Sequence, residues 1–132
     1  MQHLLVEIKA RCSDPDKVRQ YLLSHHAEFR GVDHQVDTYF KVAKGRLKLR
    51  EGNIERSLIY YERPNQLEPK DSHVSLCKME TIPVGLKEVL SAAIETKVVV
   101  DKKREIYFID NVKFHIDEVK GLGAFVEIEA IG

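Results

Sequence analysis

The chain lacks long apolar runs, an excess of charge and a cysteine framework, and each absence excludes a class of protein. No apolar segment approaches the ~20 residues that a membrane-spanning helix requires. The 132 residues carry 21 basic and 21 acidic side chains, so the formal net charge gives no indication of a nucleic-acid or membrane partner. Cys12 and Cys77 lack the spacing of a metal site, which predicts reduced thiols rather than a disulfide.

The N-terminal segment also lacks the pattern of a secretion signal. Residues 1–11 contain no basic head followed by an apolar core and a small-residue cleavage site, so we expect a cytoplasmic protein. No internal repeat, low-complexity tract or linker-like stretch divides the chain. A chain of this length buries roughly two-thirds of its unfolded surface. We therefore expect residues 1–132 to form a single domain.

Alternation of apolar and polar residues is the main pattern that the sequence does contain. In the first segment, Val6, Ile8 and Ala10 alternate with charged residues, and a period of two is typical of a β-strand. A hairpin at residues 110–111 and a turn at residues 121–123 separate the last three such segments. The predicted strands cover residues 4–12, 34–42, 46–50, 57–63, 73–80, 97–102, 104–110, 112–119 and 124–131.

Two helices interrupt the predicted strands. The run of residues 13–16 offers a capping residue followed by a proline in the first turn, which predicts a helix that continues to about His26. Pro83 begins a second helical pattern, whereas the proline-containing residues 64–72 predict a loop. Many strands with few crossover helices indicate an α+β fold with a mainly antiparallel sheet, and eight strands are enough to close a barrel.

Charged residues recur at every second position on several predicted strands. Members of each set share one face of the sheet if the strand is continuous. The sets are Glu7, Lys9 and Arg11; Arg46, Lys48 and Arg50; Lys102 and Arg104; His115 and Asp117; and Glu127 and Glu129. These faces suit either a solvated outer surface or a wet tunnel in which basic side chains hold phosphate and carboxylates hold a hard cation. Composition and spacing leave both alternatives open.

Five segments resemble, in chain order, the motifs of one family. Residues 6–11 resemble a Glu-x-Glu-x-Lys signature, residues 35–40 an Asp-x-Tyr-Phe strand, and residues 45–50 and 102–105 two basic strands. Residues 114–129 are similar to a segment with the pattern Asp-x-Val-x-Gly-Leu-Gly-x-Phe-x-Glu-x-Glu. The chain thereby resembles the CYTH family, the group of class IV adenylyl cyclases and thiamine triphosphatases.

The resemblance implies an eight-stranded antiparallel tunnel with inserted helices and with the charged faces directed inward. It implies a triphosphate bound along basic strands and a cofactor, Mg²⁺ or Mn²⁺, bound by carboxylates of the first and last strands. The implied phosphate-binding residues are Lys9, Lys48, Arg50, Lys102 and Arg104. The implied metal ligands are Glu7, Asp117, Glu127 and Glu129. Lys9 and Asp117 are the implied catalytic residues, whereas Arg11, Arg46 and His115 match the motifs less closely.

The activity that the resemblance implies first is that of a class IV adenylyl cyclase, which converts ATP to cyclic AMP and pyrophosphate. The second alternative is a triphosphatase acting on tripolyphosphate, thiamine triphosphate or a nucleotide. The third is a polyphosphate- or nucleotide-binding module without turnover. The expected partner is a small triphosphate such as ATP or tripolyphosphate, with no nucleic acid and no membrane, and a homodimer is left open.

Three departures from the family pattern accompany the resemblance. Leu5 stands where the signature has its first glutamate, which predicts weaker metal binding or a shift of the metal onto Glu127 and Glu129. Glu62 stands where many members have a lysine shortly before a proline. Members usually continue with a helix and a final strand after the position of Glu129, so the tunnel is expected to be shorter, open on one side or closed by a partner chain.

Overall fold

A computed structural model describes residues 2–62 and 70–131 of the chain, and the side chains of residues 7–62 and 73–130. The described residues form eight strands and two helices. In chain order they are β1 (Gln2–Arg11), α1 (Pro15–Ser24), β2 (Glu28–Phe40), β3 (Arg46–Gly52), β4 (Arg56–Glu62), β5 (Lys70–Lys78), α2 (Leu86–Ile94), β6 (Thr96–Ile109), β7 (Val112–Val119) and β8 (Gly123–Ile131).

The strands pair into a closed antiparallel barrel in the order β1-β5-β4-β3-β2-β6-β7-β8. Strand β1 closes the ring because it pairs with β5 on one side and with β8 on the other. The predicted α+β fold with an eight-stranded tunnel is therefore confirmed. Of the three alternatives given for the end of the tunnel, an open side is not observed among the described strands, since β8 pairs directly with β1.

Two strand boundaries differ from the predicted ones, and in both strands polar or charged residues face the interior. The predicted segments 97–102 and 104–110 are one strand, β6, in which Lys103 faces outward between two buried basic residues. Strand β2 begins at Glu28, earlier than predicted, and pairs with β6 along its length with a register shift near Gly31. Sequence alternation did not indicate this start, since Asp33 and Gln35 are polar and yet fully buried.

Smaller differences concern the loop and the helices. Strand β5 begins at Lys70, so the last residues of the predicted loop 64–72 are strand, while residues 63–69 lie outside the described part of the chain. Helix α1 begins in the predicted segment, at Pro15 with Asp14 as its cap, and ends at Ser24 instead of near His26. Arg19 ties this helix to the barrel through bonds of 2.8 and 3.1 Å to Glu105. In the described residues, no helix combines the length and apolarity needed to cross a membrane.

Candidate active site

The barrel encloses a cavity of about 450 Å³ whose wall is largely charged. Nine basic and four acidic residues with described side chains line it. The strand faces carrying Lys48, Arg50, Lys102, Arg104 and Glu127 point inward, so they are not a solvated outer surface. Strand parity positions these residues: the intervening Leu49 and Lys103 lie on the opposite face of their strands.

Asp37 of β2 is the centre of the basic part of this wall. Its carboxylate is fully buried and accepts bonds of 2.9 Å from both Nε and Nη2 of Arg50. Lys102 Nζ donates to the same carboxylate at 3.0 Å, and Lys48 Nζ lies 3.9 Å away. Burial by itself would raise the pKa of Asp37, but these cations hold that pKa well below its usual range. One carboxylate therefore balances three cations, which leaves the cluster positively charged when both lysines are protonated.

Burial and neighbouring positive charge lower the pKa values of the two lysines in this cluster. Burial and the charge of Arg50 lower the pKa of Lys48 well below its usual value. Burial, Arg104 and Arg50 lower the pKa of Lys102 to about 8. An anion in the cavity would relieve this repulsion and favour the protonated lysines. The cluster is thus suited to a polyanion such as a phosphate chain.

Arg104 of β6 forms the second ion pair of the wall. Its Nε and Nη2 donate to the two carboxylate oxygens of Asp117 on β7, each at 2.8 Å. Its Nη2 also lies 3.6 Å from Glu127 Oε1. Asp117 is buried behind Arg104 and is not among the residues that line the cavity. In this arrangement Asp117 orients Arg104, and its implied roles in metal binding and catalysis stay predictions.

The candidate metal centre lies on β7 and β8. His115, Glu127 and Glu129 place ligand atoms within 4.8 Å of one another. His115 Nδ1 is 3.0 Å from Glu127 Oε1 and 3.8 Å from Glu129 Oε1. Glu7 of β1 is buried and stands opposite Glu129 in the strand register. The register therefore adds the third predicted carboxylate to the same region.

The donor set fits a divalent cation. Burial and the charge of Glu127 raise the pKa of Glu129 to about 8, since two neighbouring carboxylates repel each other. Burial and Arg104 lower the pKa of His115 to about 4, so its imidazole is neutral and able to act as a ligand at neutral pH. The buried Nε2 of His115 has no hydrogen-bond partner among the described atoms. Two carboxylates and an imidazole are ligands that Mn²⁺ accepts, whereas oxygen alone suits Mg²⁺.

The remaining basic candidates from the sequence are exposed. Lys9 lines the cavity, stands opposite Glu127 in the register and has its Nζ 5.6 Å from the Phe125 ring centroid. Arg46 also lines the cavity but is exposed. Arg11 instead donates to the Leu122 carbonyl at 2.9 Å and is not among the lining residues. Of these three, Lys9 and Arg46 belong to the cavity.

Sequence reasoning missed several residues that shape the cavity. Asp37 was part of a recognised motif without an assigned role, although its spacing from Tyr39 and Gln35 could have indicated an inward polar face. Lys113 stands two positions before His115 and shares its face, which was also a usable signal. Glu55 lies in a turn, where periodicity carries no information.

One wall of the cavity is apolar. Ile59 and Tyr61 of β4 and Val74 of β5 are each 9% exposed and pack together, with Leu76 against them. The aligned position of the family lysine is occupied by Glu62, whose side chain accepts from Tyr60 Oη at 3.3 Å and does not line the cavity. The side chain of Leu5, the other departure, lies outside the described residues.

Comparisons with known proteins agree with this architecture. The PH1012 protein of Pyrococcus horikoshii OT3 is 26% identical, with a TM-score of 0.83 over 97% of this chain and 79% of that one. A candidate adenylate cyclase from Vibrio parahaemolyticus is 16% identical, with a TM-score of 0.75 over 98% and 77%. A Hippeastrum protein with a dominant triphosphatase activity is 19% identical, with a TM-score of 0.65 over 97% and 79%. The last two likenesses concern the fold alone.

No curated protein matches the sequence. The family model of the CYTH domain, however, matches residues 3–132, which is nearly the whole chain. Members of this family typically process triphosphates and generally depend on a divalent metal, in agreement with the cationic wall and the neighbouring carboxylates. The chain therefore belongs to the CYTH domain family.

Proposed function

We propose that this protein is a metal-dependent enzyme of class IV adenylyl cyclase type. The observation that carries the proposal is the placement, in one cavity, of a cationic wall around Asp37 and a carboxylate pair at Glu127 and Glu129. A triphosphate needs both, because its oxygens bind basic side chains and bridge to a hard cation. Lys48, Lys102 and the arginines fixed by their aspartates would hold the phosphate chain.

The metal would be held by Glu127 and Glu129, with His115 beside them and Glu7 on the adjoining strand. When bound, it would supply charge neutralisation on the phosphates and lower the cost of forming the attacking alkoxide. The residues of the chain would position the phosphates. Arg104, oriented by Asp117, lies between the metal centre and Lys102 in the register and can contact the phosphate nearest the metal.

The apolar wall supports a nucleotide substrate. Ile59, Tyr61 and Val74 offer no charge to a phosphate but can pack against a base or sugar. A nucleotide held in this way can present its ribose 3′-hydroxyl to the α-phosphorus. The new oxygen–phosphorus bond forms as the bond to the β-phosphate oxygen breaks, pyrophosphate leaves, and the hydroxyl proton passes to solvent.

Hydrolysis of the terminal phosphate is the second candidate function. Lys9 lines the cavity from β1 and stands opposite Glu127, so it can orient a water molecule beside the metal centre. The triphosphatase activity of the Hippeastrum relative agrees with this alternative. In that reaction water attacks the terminal phosphorus, and the remaining diphosphate leaves.

Product analysis separates these functions. The protein is incubated with ATP or tripolyphosphate and with Mg²⁺ or Mn²⁺, and the products are identified by chromatography. Cyclic AMP with pyrophosphate supports the cyclase, whereas ADP with phosphate supports the triphosphatase. The Glu129→Gln variant is the control for contaminating activity, since it removes a metal ligand. Binding of these ligands without any product would contradict both enzymatic functions and support the third alternative, a binding module without turnover.

A further inference from the structure

The turn between β3 and β4 places a carboxylate inside the cationic cavity. Glu55 lines the cavity, and its Oε2 accepts a hydrogen bond from Lys113 Nζ of β7. Its Oε1 lies 3.8 Å from Arg50 Nη1 and accepts a bond of 3.0 Å from Gln35 Nε2. Asp37 occupies Nε and Nη2 of Arg50, so the nitrogen facing Glu55 is the one that Asp37 leaves available.

The turn itself is fixed from within the barrel. Fully buried Asp33 accepts from the backbone N–H groups of Ile54 at 2.8 Å and of Glu55 at 2.9 Å. Gly52 permits this approach, since a Cβ at that position would lie 2.7 and 2.8 Å from the Asp33 carboxylate oxygens. Because Asp33 fixes the backbone of the turn, the Glu55 side chain is directed into the cavity.

The Glu55 carboxylate is ionised at neutral pH. Burial would raise its pKa, but the charges of Lys113 and Arg50 lower that pKa to about 2. Lys113 and Arg50 face the same cavity that the proposed triphosphate would occupy. A carboxylate and a phosphate oxygen use the same charge-assisted bonds from these donors. The two anions cannot share them without repulsion.

We propose that Glu55 is an intramolecular competitor of the substrate, occupying the end of the phosphate site formed by Lys113 and Arg50. The proposal rests on the proposed function, because it assumes that a polyphosphate binds in this cavity. Glu55 then determines specificity. It lowers the affinity for polyanions in general and disfavours a phosphate chain long enough to reach Lys113.

The test compares two glutamates of the same hairpin. Glu55→Gln removes the charge inside the cavity, while the control Glu51→Gln removes one paired with Lys87 at 3.3 Å and absent from the lining. The two side chains are similarly exposed, at 27% and 32%. Affinity for a non-hydrolysable imido analogue of tripolyphosphate, with excess Mg²⁺, is measured by calorimetry. Glu55→Gln should bind about tenfold more tightly, and Glu51→Gln should change affinity by less than about twofold.

Equal or weaker binding by a folded Glu55→Gln variant would overturn the proposal, because Glu55 would then serve to position Lys113. If that variant does not fold, Glu55→Asp decides the question. Its shorter side chain withdraws the carboxylate from Lys113, so tighter binding than wild type supports competition and unchanged or weaker binding overturns it. Failure of the wild-type protein to bind the analogue would instead contradict the proposed function.

Discussion

The charged and apolar walls of the barrel are built by the same strand alternation but are stabilised differently. Ile59, Val74 and Leu76 form a wall whose burial stabilises the fold by roughly 25 cal/mol per Å². The charged wall buries Arg50 against Asp37 and Arg104 against Asp117, where desolvation offsets much of the attraction within each pair. The charged wall therefore contributes little net stability to the barrel and is well suited to binding an anion.

The largest expected effect comes from Asp37→Asn. This change leaves buried Arg50 and Lys102, with Lys48 beside them, without their shared counter-charge, and breaking a buried ion pair costs about 3–5 kcal/mol. Urea denaturation measures the loss of unfolding free energy. Asp101→Asn is the control, because Asp101 pairs with His34 on the surface and should cost less than about 1 kcal/mol. If both variants lost the same unfolding free energy, the buried ion pairs of the charged wall would be no more important for stability than an ion pair on the surface.

Lys48→Met should weaken triphosphate binding with little loss of stability. The Lys48 side chain is 12% exposed and lies 3.9 Å from Asp37, which keeps both of its bonds to Arg50. Loss of one charge-assisted contact costs about 1.5–3 kcal/mol, or roughly ten- to a hundredfold in affinity. Tripolyphosphate affinity and the melting temperature are measured together. Unchanged affinity would remove Lys48 from the phosphate site.

Alanine variants of Arg50 and Arg104 should change stability as well as triphosphate binding. Each leaves a buried aspartate unpaired, so we expect a loss of unfolding free energy in addition to weaker binding. Of Lys48, Arg50 and Arg104, Lys48 is therefore the residue whose substitution tests binding with the least effect on the fold. Urea denaturation of Arg104→Ala provides the contrast with Lys48→Met.

Metal binding should depend on pH through Glu129. Its pKa is raised to about 8, so below pH 8 the metal must displace a proton, and affinity falls by up to about tenfold per pH unit. His115 contributes no such slope between pH 6 and 8 because its pKa is lowered to about 4. Calorimetric titration with Mn²⁺ at several pH values measures the slope. A flat profile in wild type, or the same slope in Glu129→Gln, would contradict this assignment.

The smallest expected effect comes from a change in the apolar wall, and it tests whether this wall contacts the nucleoside. Ile59→Val removes one methylene and should cost about 0.5–1.5 kcal/mol of unfolding free energy. If the wall holds the base or sugar, ATP affinity should fall by a few-fold while tripolyphosphate affinity is unchanged. Parallel calorimetric titrations with the two ligands measure the difference. An equal fall for both ligands would show that the wall makes no contact specific to the nucleoside.

Much of the site could be predicted because alternation and family motifs both depend on local sequence. Lys48, Arg50 and Glu127 stand on regular strands, so their shared parity was sufficient to place them on inward faces once the barrel was assumed. Asp37 was harder to assign, since its role depends on Arg50 and Lys102 from two flanking strands. Pairing partners of this kind are not encoded in the periodicity of one strand.

Most strands, both helices and the family could be predicted from the sequence, since these follow from short-range patterns and from motifs in chain order. Residue alternation alone left open which face of each strand is the interior. Closure of the ring through β1 and β8 resolves this, because one side of every strand then lies inside. The tertiary structure also decided where Glu55 lies. A turn residue has no parity, and its entry into the cavity depends on buried Asp33, which comes from a different strand.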